Sequence, residues 1–285
     1  MKNITPLVIT LALVIVALTV STCATSGYNQ GQFNLISLEQ ERELGDKLNA
    51  DVAAELAAQG MTYNDTEVND YLNRLGQKLV RNAPEVNFDY TFTVVKTDEV
   101  NAFAIPGGHV FVHTGLIAET ENEAELAGVI AHEIGHVVAR HGSERLSAMM
   151  AAGFVGEIIV GGQAQQVDRM LADLAVQLVT TGGMMAYSRQ NESEADQIGA
   201  KILYDAGYDP WAMVKFFRKL HEKSGDMTKF DVFISTHPDP EDRRNEVRSY
   251  IKTLPPRENP IQDTPEFDKV RAICQKIQYN KGKSE

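Results

Sequence analysis

His132-Glu133-Ile134-Gly135-His136 sets two histidines four residues apart, with a glutamate directly after the first. On a helix that spacing projects both imidazoles from one face, where they can share one Zn²⁺, and brings the carboxylate within reach of a metal-bound water. On a helical wheel Val129, Ile130, Ile134, Val137 and Val138 form an apolar stripe with both histidines beside it, and Glu133 falls inside the stripe. An uncompensated carboxylate there is costly, so its position calls for a proton or a cation. A second anomaly lies in 188–205. Glu192, Asp196, Gly199 and Leu203 share a face flanked by Ala195 and Ile202, whereas Glu194 points to the opposite side. Two acids on an apolar face repel each other, and a nearby cation is again indicated. The pattern assigns His132, His136 and Glu192 as ligands of one zinc per chain, with Glu133 as general base. Asp196 becomes the acceptor that orients a ligand histidine through its other ring nitrogen. If instead Glu192 and Asp196 formed a solvated face paired with Arg189, the apolar residues would be on the wrong side.

The remaining histidines have weaker claims. His141, five residues after His136, rotates off the ligand face of a continuous helix. His109 and His113 read as strand-surface residues, and His221 has no chemical context. Around His237 the local pattern is a helix entry, with Asp239 as N-cap, Pro240 in the first turn and Asp242 at the positive helix end, which leaves the histidine itself without a structural reason.

Periodicity supplies the helices and strands that carry these groups. Helices are expected over 38–59 and 67–82, stopped by Gly60 and Pro84, then over 121–141, 143–178, 188–205, 210–223, 240–251 and 267–279. Strands are expected over 90–95 and, after a Gly107-Gly108 turn, over 110–112, with two or three more short ones nearby. The apolar stretch 148–160 is interrupted by Glu157 and several glycines and reads as a buried or amphipathic helix rather than a membrane span. The fold class is a mainly helical α+β domain with a small sheet beside the metal helix.

Composition narrows the function. With 43% apolar and 23% charged residues the 285-residue chain is globular, and two cysteines exclude a disulfide scaffold. A net charge of -12 repels phosphate backbones, so nucleic acid is excluded as a partner. Lys2 followed by the uncharged run 6–20 reads as a signal peptide over 1–22. Residues 23–36 read as a tether, and 37–285 as the catalytic domain with a C-terminal helical extension.

The paired motifs resemble those of the M48 zinc metallopeptidases, which share HExxH with a downstream ExxxD, here Glu192-Ser193-Glu194-Ala195-Asp196 after Tyr187-Ser188-Arg189. Asn101-Ala102-Phe103-Ala104, Pro106-Gly107-Gly108 and Thr114-Gly115-Leu116 look like the segment that precedes the family's metal helix. The resemblance covers roughly residues 38–252 and implies a zincin-like fold. It extends to His237, Pro238 and Arg243, implying that this loop approaches the metal, where His237 closes the fourth coordination position at rest or stabilises the oxyanion in catalysis. Val20-Ser21-Thr22-Cys23 similarly resembles a lipobox. The chain looks most like the short lipid-anchored periplasmic members that degrade misassembled outer-membrane proteins. That resemblance implies a zinc endopeptidase in the bacterial periplasm, held by a lipid on Cys23 to the outer membrane in preference to the inner. Its substrates would be unfolded or misassembled envelope polypeptides, bound extended as an added strand along an edge formed by Gly108, Val110 and Val112. The competing class is a chaperone or binding protein with a silent metal site. A structural zinc usually has four closed ligands, often with cysteine, so the open set found here favours catalysis.

Overall fold

The computed structural model describes Tyr28 and residues 34–84, 88–160, 165–181, 186–223, 229–237 and 240–281. The expected signal peptide, Cys23, most of the tether, Pro238 and the Asp239 cap lie outside these residues.

Helix α1 (Leu38–Ala58) starts at a reciprocal cap between Ser37 and Gln40, and α2 (Thr66–Val80) at Asp65, whose carboxylate accepts from the Glu67 and Val68 amides. Strands β1 (Thr91–Val95), β2 (Ala102–Ile105) and β3 (His109–His113) follow. Gly107 and Gly108 turn β2 into β3 with φ of 87° and 93°, a conformation that disfavours any residue with a Cβ. Then come α3 (Thr114–Glu119), α4 (Glu123–Val138), α5 (His141–Val160), α6 (Gln165–Thr181), α7 (Arg189–Asp205), α8 (Trp211–Lys223), α9 (Asp231–Thr236), α10 (Pro240–Ile251) and α11 (Pro265–Lys281). Among the described residues no helix is long and apolar enough to cross a membrane, α5 with its 148–160 stretch included.

The sheet order is β1-β3-β2, with β3 parallel to β1 and antiparallel to β2. Alternate residues serve two cores. Phe92, Val94, Ala102, Ala104, Val110 and Val112 join the larger core with α2, α4, α7, α8 and α11. Phe103, Ile105 and Phe111 face the other way, against Leu48, Val52 and Leu56 of α1 and Leu171, Leu174 and Leu178 of α6. The metal helix therefore lies under one face of the sheet, and α1 with α6 covers the opposite face.

Four expectations are corrected. Gly108, Val110 and Val112 do not form a free edge, because β3 is the central strand, paired on both sides and buried along its whole length. For the same reason His109 and His113 are buried, not on a strand surface. The 121–141 helix is not continuous either: it ends at Val138, and Arg140 adopts φ 57° before α5 begins at His141. Likewise the 143–178 stretch is divided between α5 and α6.

Candidate metal centre

Helix α4, capped by the Asn122 side chain, carries His132, Glu133 and His136; α7, capped by Ser188, carries Glu192 and Asp196. The two helices touch through glycines. A Cβ on Gly135 would lie 2.6 Å from the Ala195 carbonyl oxygen, and one on Gly199 would lie 3.0 Å from the His132 amide nitrogen. The backbones meet closely enough for Glu192 to face both histidines. His237, just past α9, supplies the fourth group, with its amide bonded to the Phe233 carbonyl at 2.8 Å.

His132, His136, Glu192 and His237 are all buried and can each turn one ligand atom toward a common point, those atoms lying within 4.8 Å of one another. His132 Nε2 is 3.0 Å from His136 Nε2 and 3.3 Å from His237 Nδ1, and Glu192 Oε1 is 3.4 Å from His136 Nε2. The far side of each α4 imidazole is also engaged. His132 Nδ1 meets Asp196 Oδ1 at 2.8 Å, so it carries the proton and leaves Nε2 as a lone pair. His136 Nδ1 meets His141 Nδ1 at 2.9 Å, and His141 Nε2 meets Glu194 Oε2 at 3.2 Å. The carboxylate fixes the proton of His141 on Nε2, so His141 Nδ1 accepts from His136 Nδ1–H and His136 Nε2 is again a lone pair. Two imidazole lone pairs face to face in a buried site repel unless a cation lies between them. These three spacings are close to the roughly 3.3 Å that separates nitrogen or oxygen ligands bound to one metal at about 2.0–2.1 Å. This donor set fits a divalent metal.

Charge balance has identifiable causes. Burial would raise the Glu192 and Asp196 carboxyls, but His237 and Arg243 beside Glu192, and Arg243 beside Asp196, hold both below their usual range. Arg243, on α10, donates to both Asp196 oxygens at 2.7 and 2.8 Å and faces Glu192 Oε2. Burial pushes Glu133 up, against the pull of His237 and His132. Its Oε2 accepts the Ala104 amide at 3.0 Å, while Oε1 has no hydrogen bond and points to His237 Nε2 at 3.4 Å. Tyr187 stacks on His136 with ring centroids 4.1 Å apart.

The fold thus brings together His132, Glu133, His136, Glu192, Asp196 and His237, and leaves Gly108, Val110 and Val112 outside the site. Sequence reasoning missed His141, Glu194, Tyr187 and the Ala104 amide. The adjacent Asn101-Ala102-Phe103-Ala104 segment was the available pointer to the last, but nothing in the local pattern marks Arg140 as the residue that turns His141 back.

A buried HExxH helix crossed by a glutamate-bearing helix, with a strand amide on the general-base position, defines a metal-dependent hydrolase. The characteristic sequence pattern of Peptidase family M48 matches residues 66–251, and the chain belongs to that family. It is 32% identical over 256 residues to the beta-barrel assembly-enhancing protease of Escherichia coli (strain K12), covering 88% of this chain and 51% of that protein. The protein of that name from Yersinia pestis is 33% identical over 245 residues, 84% of this chain and 49% of its own length. The mitochondrial metalloendopeptidase OMA1 of Schizosaccharomyces pombe is 29% identical over 224 residues, 78% of this chain and 64% of its own length. The chain spans about half the length of the two bacterial relatives.

Proposed function

We propose that the protein is a zinc endopeptidase of the bacterial envelope that cleaves unfolded or misassembled polypeptides. The observation that carries this reading is the 3.0 Å approach of the His132 and His136 Nε2 atoms beside Glu192, with Glu133 Oε1 unbonded next to them. His132, His136 and Glu192 would hold the zinc, which when bound would supply a Lewis acid to lower the pKa of a water and polarise a scissile carbonyl. Glu133, raised by burial and held by the Ala104 amide, takes the proton at Oε1 and returns it to the leaving amine. Asp196 and Arg243 keep His132 and Glu192 oriented. His237, whose Nδ1 is 3.1 Å from Glu192 Oε1, would complete the ligand set at rest and withdraw when substrate enters, the alternative role being to stabilise the oxyanion. Periplasmic location, the signal peptide over 1–22 and a lipid on Cys23 belong to the same reading. The relatives named as assembly-enhancing proteases support it.

The substrate strand is reassigned to β2. Its residues are as buried as those of β3, but its far side carries no other strand among the described residues, and the Ala104 amide turns to that side toward Glu133. Alternation then leaves Ala102 and the Ala104 carbonyl on the outward edge, where an extended peptide can pair with backbone groups and little side-chain demand.

The test is a Glu133→Gln variant. It should retain about one zinc per chain and lose cleavage of a loosely folded substrate by a factor of at least about 10². Undiminished cleavage would remove Glu133 as the general base, and a wild-type chain that binds metal but shows no metal-dependent cleavage would transfer the reading to a chaperone with a silent metal.

A further inference from the structure

Arg140 is the joint between the metal helix and the helix that carries His141. Its amide donates to the Val137 carbonyl at 3.0 Å and ends α4, while its carbonyl accepts the Glu144 amide at 3.0 Å and starts α5. It does so at φ 57°, a left-handed conformation that glycine adopts freely and a residue with a Cβ adopts only at a cost. The side chain holds it there. Nε donates to Glu41 Oε2 and Nη2 to the Ile36 carbonyl, both at 2.6 Å, and Arg140 and Glu41 are buried. Charge-assisted bonds out of water are the stronger kind, and backbone strain of this sort persists only where the surroundings over-determine it.

The carboxylate is itself fixed, because α1 seats against backbone. A Cβ on Gly45, four residues after Glu41, would overlap the Pro106 carbonyl oxygen, and one on Gly142, at the start of α5, would lie 3.2 Å from the Pro106 ring. Helix α1, the β2–β3 turn and the α4–α5 turn therefore meet at one point. His141 leaves that point with its Nδ1 2.9 Å from His136 Nδ1, the contact that turns His136 Nε2 toward the metal. We infer that, where His132, His136 and Glu192 hold zinc as proposed, Glu41 and Arg140 are positioning residues of the metal centre. Their ion pair sets the turn that delivers His141 to His136, and so sets zinc affinity from a helix outside the 66–251 region matched by the family. Among the described residues neither side chain bonds a metal ligand, so the effect passes through the backbone of Arg140 and then through His141.

Zinc affinity is measured in competition with a chelator, and fold stability by urea unfolding of the zinc-free chain. Glu41→Gln keeps the shape of the side chain, removes its charge, and should weaken zinc binding at least about fivefold. In a chain already carrying His141→Ala the same change should cost less than about twofold, because the route to His136 is gone. Glycine tests the turn. Arg140→Gly should bind zinc at least about fivefold more tightly than Arg140→Ala, since glycine takes the left-handed turn with no side chain to hold it. Both variants leave the same Glu41 carboxyl unpaired, so their difference reports the turn, and it does so even if Glu41→Gln fails to fold. A lower unfolding midpoint with unchanged zinc affinity in Glu41→Gln, equal losses with and without His141, or Arg140→Ala binding as tightly as Arg140→Gly would each overturn the proposal and leave the pair a brace for the fold. Glu192→Ala judges the zinc reading separately. A wild type that takes up no zinc, or a Glu192→Ala variant that takes up as much as the wild type, removes that reading and the positioning role with it. Zinc lost in Glu192→Ala but held at full affinity in Glu41→Gln removes the positioning role alone.

Discussion

The two histidines of the metal pair are held by different devices. His132 is oriented by a carboxylate that Arg243 clamps through both oxygens, a rigid, charge-assisted arrangement. His136 is oriented by His141, itself backed by Glu194, whose side chain is 24% exposed. Glu194 is therefore not a ligand, yet it sets the proton position of His141 and through it the lone pair of His136. Glu192→Ala should abolish stoichiometric zinc binding. Glu194→Ala should still fill at saturating zinc but lose about 10- to 100-fold in affinity in competition with a chelator, the range for groups that orient ligands from behind. His141→Ala should match it, and His141→Gln, whose amide can accept from one side and donate to the other, should recover part of the loss. Zinc affinity unchanged in His141→Ala would reduce the triad to packing.

At the scale of elements the site depends on how closely α4 and α7 approach. Gly135 is inside the motif but contributes no chemistry; it contributes the absence of a Cβ against the Ala195 carbonyl. Gly135→Ala should push the helices apart and draw Glu192 away from the histidines, lowering zinc occupancy in metal analysis more than it lowers helix content in circular dichroism. Full occupancy would show that the crossing has slack. The spacing of the ligands and the apolar face around Glu192 were legible in the sequence because each is local to one helix. Sheet order was not, since pairing partners leave no local mark. Even so, Val110-Phe111-Val112 is a short continuous apolar run of the kind a strand buried on both faces shows, and the flanking histidines disguised it as a surface strand. The wheel failed at His141 because it presumed a helix where Arg140 takes a left-handed turn, tied down by Glu41 at 2.6 Å and the Ile36 carbonyl.

Across the whole molecule, the region matched by the family, 66–251, does not fold around itself alone. Helix α1 contributes Glu41 to the end of the metal helix, and α11 contributes Phe267, Val270 and Cys274, all fully buried, to the main core. Glu123 at the start of α4 gathers Tyr71, Tyr208 and Thr264, joining α2, the end of α7 and the approach to α11. A sheet enclosed on both faces also has an acid weakness. Burial lowers the pKa of His113 from 6.5 to about 3, and its ring edge meets Phe103. Above pH 6.5 the ring is neutral in both folded and unfolded chains and the fold keeps its full stability. As pH falls below 6.5 the unfolded chain takes up a proton that the fold refuses, and stability declines by about 1.4 kcal/mol per unit until about pH 3. His113→Phe keeps a ring against Phe103 and removes the titration. Urea unfolding at about pH 7 and about pH 5 should therefore show the variant gaining about 2 kcal/mol on the wild type between those pH values. Parallel losses in the two proteins would mean that His113 charges within the fold and that its enclosure admits water.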